Sequence, residues 1–246
     1  LLGCSLTGWQ DMVNATEMTA EAQVELLKKL RETAHRAAES IATRLGGAKP
    51  LLVTTVKPEG TLSLLPTVSN GVHYSHAPYY IRRVRINAAD PLCRVCEELG
   101  YPVLPEVGQD PDDPVTKVVE FPVKAPAGCV KADVSAVQQL ENYKMFMEHY
   151  VDHNCSITVH VRDHEWDQVE QWVWDHWDDV VALSFLSYDD NFYELLPYEE
   201  ITKEEYEKRK AAMRTFNPSL LAKYEHEEME LDIGASDCAN GVCPVR

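Results

Sequence analysis

The sequence predicts an α/β protein, and three stretches carry that expectation. Leu51 to Val56 (LLVTTV) is a short apolar, β-branched run of the kind that forms a strand buried on both faces. Cys155, Ile157, Val159 and Val161 alternate with Ser156, Thr158, His160 and Arg162, the period of two of a half-buried strand. Thr19 to Leu45 places Val24, Leu27, Leu30, Ala34, Ala38, Ile41 and Leu45 on one helical stripe, with Gly46-Gly47 as its stop.

The other elements follow in order. Lys57 and Pro58 end the first strand, and Gly60, Thr61 and Ser63 supply flexible backbone, N–H donors and two hydroxyls where a helix is expected to start. Strand, Gly/Ser/Thr turn and helix N-terminus together suit a phosphate. A cationic return, YYIRRVRI, leads to a helix from Asp90 (cap) and Pro91 to Leu99, closed by Gly100. Pro102 to Pro114 reads as a long surface loop, Lys117 to Val123 as a strand, and Ser135 to Val151 as a helix with Val137, Leu140, Tyr143 and Met147 inward. Asp163 to Asp178 is expected to be helical with Trp166, Val169, Val173 and Trp177 buried and Trp172 and Trp174 outside that stripe. Thr202 and Glu205 form a capping box for a helix running toward Met213. Beyond Asn217-Pro218 the pattern dissolves into an acidic tail ending in Cys238 and Cys243, whose four-residue spacer lets two sulfurs meet.

Charge and composition narrow the function. The chain of 246 residues has a net charge of −17, yet from Lys49 to Arg94 six cations (Lys49, Lys57, Arg82, Arg83, Arg85, Arg94) face only Glu59 and Asp90. A local positive segment in an acidic protein fits a small anion and argues against a nucleic-acid polymer, which needs a wide basic footprint; the alternative is that the arginines pair with surplus carboxylates. No apolar run is long enough to span a membrane, and seven scattered cysteines suit a reducing compartment, so a soluble, cytoplasmic protein is expected. LLGC at the start lacks the basic and apolar regions of a lipoprotein signal. Cys93 and Cys96 are expected in the core of their helix, because no second CxxC answers them. The pairs His149/His153 and His160/His164 straddle element ends, so no metal site is expected.

The runs TTVKPEGTLSLLPTVSNGVHY and YYIRRVRI resemble the adenosylcobalamin-dependent (class II) ribonucleotide reductases, in which a Lys-Pro-x-Gly-Thr-x-Ser turn holds the substrate's phosphates. LGCSLTG (Leu2 to Gly8), HNCSITVHV (His153 to Val161) and the terminal SDCANGVCPVR resemble further segments of that family, in the same order. The resemblance implies the second half of a ten-stranded α/β barrel, with residues 1–216 in the barrel and 217–246 as a mobile acidic redox tail. It implies a phosphate site on Lys57, Pro58, Glu59, Gly60, Thr61 and Ser63, Glu59 standing where the family more often has Ser.

The same resemblance implies adenosylcobalamin as cofactor, a ribonucleotide (ribonucleoside triphosphate) as substrate, and thiyl-radical chemistry. It makes Cys238 and Cys243 a tail dithiol that is re-reduced by thioredoxin or a similar donor. The radical cysteine and active-site dithiol of the family lie upstream of Leu1, so a missing N-terminal part of the enzyme is expected and this fragment alone is expected to be inactive. The rival readings are the large subunit of an iron-dependent ribonucleotide reductase and, more remotely, a metal-binding structural module.

Overall fold

The structure, a computed structural model, describes residues 3–188 and 194–225. Its elements in chain order are α1 (Trp9–Thr16), α2 (Ala20–Arg44), β1 (Tyr79–Asn87), α3 (Pro91–Glu98), β2 (Val103–Pro105), β3 (Thr116–Lys124), α4 (Ala136–His149), β4 (Thr158–Val161), α5 (Trp166–Asp175), β5 (Ser184–Ser187), β6 (Tyr198–Glu200), α6 (Lys203–Ala212) and α7 (Leu221–Tyr224). They form two units: one contains the chain up to Pro78 and resumes at Ala125, and the other contains Tyr79–Lys124 and the C-terminal elements from β6 onward.

The first unit is α/β and parallel. β4 and β5 pair in parallel from Thr158↔Ser184 to Val161↔Ser187, with α5 as the crossover that a parallel pair requires. Single parallel bridges, Cys4↔Thr54 and Val56↔Cys155, extend the same direction across two further segments. The 51–56 run is therefore shorter than expected as a strand. Leu51 is 88% exposed, and burial begins at Val53. Asp152 fastens the start of the paired part, its Oδ2 accepting the N–H groups of Val53 (2.9 Å) and Thr54 (3.1 Å). Arg31 and His35 of α2 reach the same carboxylate at 2.6 and 2.7 Å. These bonds and the two N–H donors hold Asp152 ionised far below the usual carboxylate range, against the opposing effect of burial.

Asp90 and Thr202 cap their helices as the sequence predicts, though the Glu205 carboxylate turns to Arg209 and leaves the capping box half formed, and Thr19 and Ser135 cap two more. Thr19 accepts from Ala22 N–H, Asp90 from Leu92 N–H, Ser135 from Gln138 N–H and Thr202 from Glu205 N–H. The core of the first unit joins Leu27 of α2, Leu140, Tyr143 and Phe146 of α4, and Cys155, Ile157, Val159 and Val161, the apolar face of the alternating segment.

The buried face of α5 keeps Val169 as expected but takes in Trp172 in place of Trp166 and Trp177. Trp172 is 6% exposed and Trp177 68%, and Trp166 is also exposed. Just before the helix, the carboxylate of buried Glu165 accepts from Ala136 N–H (3.1 Å) and Arg162 N–H (2.9 Å). Trp172 Nε1 donates to Glu141 at 2.6 Å.

The second unit is an antiparallel sheet in the order β2-β3-β1-β6. The expected 102–114 loop thus contains a short strand, β2, paired with β3. Arg83 and Glu120 face each other in register on β1 and β3, and their side chains meet at 2.7 Å, both buried. Glu199 also binds Arg83, and Arg209 of α6 binds Glu120 at 2.6 Å and Glu205 at 2.7 Å. Helical structure continues past the expected tail boundary: Pro218–Leu220 form a 3-10 turn and α7 follows, with Lys223 and Tyr224 bonded to Glu98 at 2.8 and 2.6 Å.

Candidate functional site

The Lys57 to Ser63 turn begins at the C-terminal end of the parallel 53–56 segment, the side of an α/β sheet on which ligands bind. Three stretches separate in sequence build it. Lys57 N–H donates to Ser5 Oγ at 2.9 Å, and Gly71 N–H donates to Thr7 Oγ1 at 3.0 Å. Val56 N–H donates to Asn154 O (3.1 Å) and Ser156 N–H to Val56 O (2.9 Å). LGCSLTG, the Lys-Pro-x-Gly-Thr-x-Ser turn and HNCSITVHV therefore meet in one place.

Within the turn Glu59 takes a left-handed backbone, φ 56°, a conformation that costs a non-glycine residue energy and that clusters at functional sites. Its carbonyl accepts from Ser63 N–H at 3.0 Å. Gly71 (φ 49°) closes the loop, where a Cβ would lie 2.7 Å from the Lys57 carbonyl oxygen, so only glycine fits. Lys57, Pro58 and Thr61 are exposed, and Glu59 and Gly60 are half-buried.

Two expectations change here. The helix expected after the turn is a single 3-10 turn, Leu62–Leu64, too short for a helix macrodipole to assist an anion. Ser63 is fully buried, and its hydroxyl donates to Asn70 Oδ1 at 3.0 Å, making it an internal brace instead of an open donor.

The cations divide between the two units. Arg83 and Arg85 lie in the second and are held by carboxylates, Arg83 by Glu120 and Glu199 and Arg85 by Glu106, while Arg82 stacks over the Tyr198 ring at 4.3 Å. The pairing alternative thus holds for Arg83 and Arg85. In the turn's own unit Lys49 pairs with Glu39 at 2.8 Å, and Lys57 is the cation on the turn itself.

Cys93, Cys96 and Cys155 are buried. Burial pushes the thiols of Cys93 and Cys96 up to about 12 and about 11, and that of Cys155 higher still, the behaviour of unreactive core thiols. Among the described residues no group of three or more His, Cys, Asp or Glu side chains is placed to hold a metal ion. No helix among them is long and apolar enough to cross a membrane. Cys238 and Cys243 lie outside the described residues.

Sequence reading missed two supports of the site. Asp11, in the first turn of α1, accepts from Ser69 N–H at 2.8 Å and Ser75 Oγ at 2.9 Å and pins the return leg. His73 joins that leg to β4. The acidic first turn of α1 hinted at the former, and no local signal marked the latter.

Parallel segments with a glycine-closed turn at the C-terminal end of one of them define an α/β protein, and comparison with known proteins agrees with that class. No family model matches the chain. It is similar to the protein named adenosylcobalamin-dependent ribonucleoside-triphosphate reductase from Lactobacillus acidophilus (28% identical over 229 residues, 91% of this chain and 30% of that protein). The proteins of that name from Levilactobacillus brevis (28% over 235 residues, 92% and 31%) and Lactobacillus gasseri (31% over 201 residues, 78% and 26%) are similar to it as well. A crystal structure of a B12-dependent (class II) ribonucleotide reductase shares its fold, with TM-score 0.79 and 24% identity over 92% of this chain and 35% of that one. The chain spans about three-tenths of the length of the curated relatives it matches.

Proposed function

We propose that the chain is the C-terminal part of the catalytic subunit of an adenosylcobalamin-dependent ribonucleoside-triphosphate reductase, completing the second half of a ten-stranded α/β barrel and holding the substrate's phosphates on the Lys57 to Ser63 turn. The observation that carries this reading is the meeting of Ser5, Lys57, Gly71 and Asn154 at the ends of parallel segments, since three of the family-like motifs converge there. The Lys57 ammonium neutralises phosphate charge, the Thr61 hydroxyl donates to a phosphate oxygen, and Pro58, Glu59 and Gly60 shape the backbone between them. Ser63 keeps the turn's curvature through Asn70.

The reaction replaces the ribose 2′-hydroxyl by hydrogen. A C–O bond breaks, water leaves, a C–H bond forms, and a dithiol supplies two electrons as it becomes a disulfide. Cys238 and Cys243 on the acidic tail reduce that disulfide by thiol exchange and are reduced in turn by thioredoxin or a similar dithiol protein. The cavity lined by His73, Tyr74, Lys131 and His160 among others is about 30 Å³, water-sized, and is not itself a seat for a corrin.

The test is ribonucleoside triphosphate reduction by the full-length protein carrying this chain, supplied with adenosylcobalamin and reduced thioredoxin and no iron subunit. Deoxyribonucleotide formation is expected; activity that requires an iron subunit would move the protein to the iron-dependent class.

A further inference from the structure

The return leg of the turn carries a histidine with both ring nitrogens engaged. His73 Nδ1 lies 2.9 Å from the carbonyl oxygen of Asn70, which can only accept, and Nε2 lies 3.0 Å from the backbone N–H of Thr158, which can only donate. The proton therefore sits on Nδ1, the lone pair on Nε2, and the ring is neutral. A second proton on Nε2 would oppose two N–H groups. Burial acts in the same direction and lowers the pKa of the ring.

Asn70 links this ring to the turn. Its carbonyl accepts from His73 Nδ1–H, while its side-chain Oδ1 accepts from the Ser63 hydroxyl at 3.0 Å. The hydrogen-bond path from β4 to the turn is thus Thr158, His73, Asn70, Ser63. The other titratable groups near the ring are Lys131, His160 of β4, and Tyr74 and His76 on the same segment. From α4, Gln139 and Asn142 are uncharged and are engaged elsewhere, with the His160 backbone and the Val72 carbonyl.

We propose that His73 is a positioning residue for the anion-binding turn: as a neutral imidazole it ties Asn70 to β4 and so holds Ser63, and with it Thr61, in the shape that receives the substrate's phosphates. The proposal rests on the phosphate reading of the turn. It assigns to a side chain that touches no substrate a measurable share of substrate affinity.

Ribonucleoside triphosphate affinity of the full-length protein tests it. His73→Asn keeps a donor for the Asn70 carbonyl, and His73→Gln keeps an acceptor for Thr158 N–H. Each is expected to weaken binding, by up to about tenfold, the scale of one well-made hydrogen bond to a charged ligand. Thr61→Val is expected to weaken the wild type and to add little in either His73 variant, since the turn is already displaced. Wild-type affinity in both variants, or full additivity with Thr61→Val, overturns the positioning role and leaves the phosphate reading standing. Wild-type binding that Thr61→Val does not weaken overturns the phosphate reading, and the positioning role with it. Should a variant fail to fold, ¹⁵N-histidine NMR of the wild type decides: an Nδ1-protonated His73 whose Nε2 resonance moves on triphosphate addition is expected, and an Nε2-protonated ring or an unmoved resonance overturns the role.

Discussion

Ser63 and Asn70 meet inside the turn, the fully buried Ser63 hydroxyl donating to Asn70 Oδ1 at 3.0 Å. Ser63→Ala leaves Asn70 Oδ1 without that donor in a buried setting. A loss of about 1–2 kcal/mol in stability is expected from denaturant midpoints at unchanged m-value. An unchanged midpoint would mean that the hydroxyl is not a brace.

The ion network of the second unit joins a buried pair, Arg83 and Glu120, to Glu199 and Arg209. Glu120→Gln leaves buried Arg83 with the more exposed Glu199 as its carboxylate partner, so a cost of about 1.5–3 kcal/mol, the scale of hydrogen bonds to a charged group, is expected in unfolding experiments. A double replacement of Arg83 and Glu120 by apolar residues of similar volume should cost less than either single change. Equal cost for all three would contradict the desolvation argument.

Acid should destabilise the first unit through its histidines. Burial, reinforced by Lys131, holds His76 down to about 3 and His160 down to about 4, and burial also lowers His73. The unfolded chain takes up these protons near pH 6.5, so stability is full above that value and falls as pH drops through 6 toward 4, by up to about 1.4 kcal/mol per pH unit for each group. His160→Gln should flatten the slope between pH 6.5 and 4.5. A mutant curve parallel to the wild type would show that His160 binds its proton equally in both states.

Local chemistry made much of the fold readable, and long-range pairing hid the rest. The caps at Asp90 and Thr202 and the alternation from Cys155 to Val161 depend on neighbouring residues and were legible. Buried Glu165, just before α5, is held by Ala136, and the start of the 53–56 segment is held by Asp152, 98 residues from Thr54 in sequence. The positive segment read from composition dissolved for the same reason: the partners of Arg83 and Arg85, Glu120, Glu199 and Glu106, stand on other strands and loops. At the site, the turn was visible in its residues, whereas Asp11 and His73 act through bonds to distant backbone.

The tail pair should carry electrons and take no part in the radical chemistry. In the full-length enzyme, Cys238→Ser or Cys243→Ser is expected to abolish steady-state turnover with thioredoxin, to keep a single turnover of pre-reduced enzyme, and to recover partly with a small dithiol. Loss of the single-turnover burst would place these thiols in the catalytic core.

The most direct test of the phosphate site is the KM for a ribonucleoside triphosphate in the full-length Thr61→Val enzyme. Thr61 is exposed, so the change should leave the fold intact. Loss of one donor to a charged phosphate is expected to raise KM about fivefold or more, about 1 kcal/mol, with kcat little changed. A KM equal to that of the wild type would contradict the assignment of substrate phosphate to this turn.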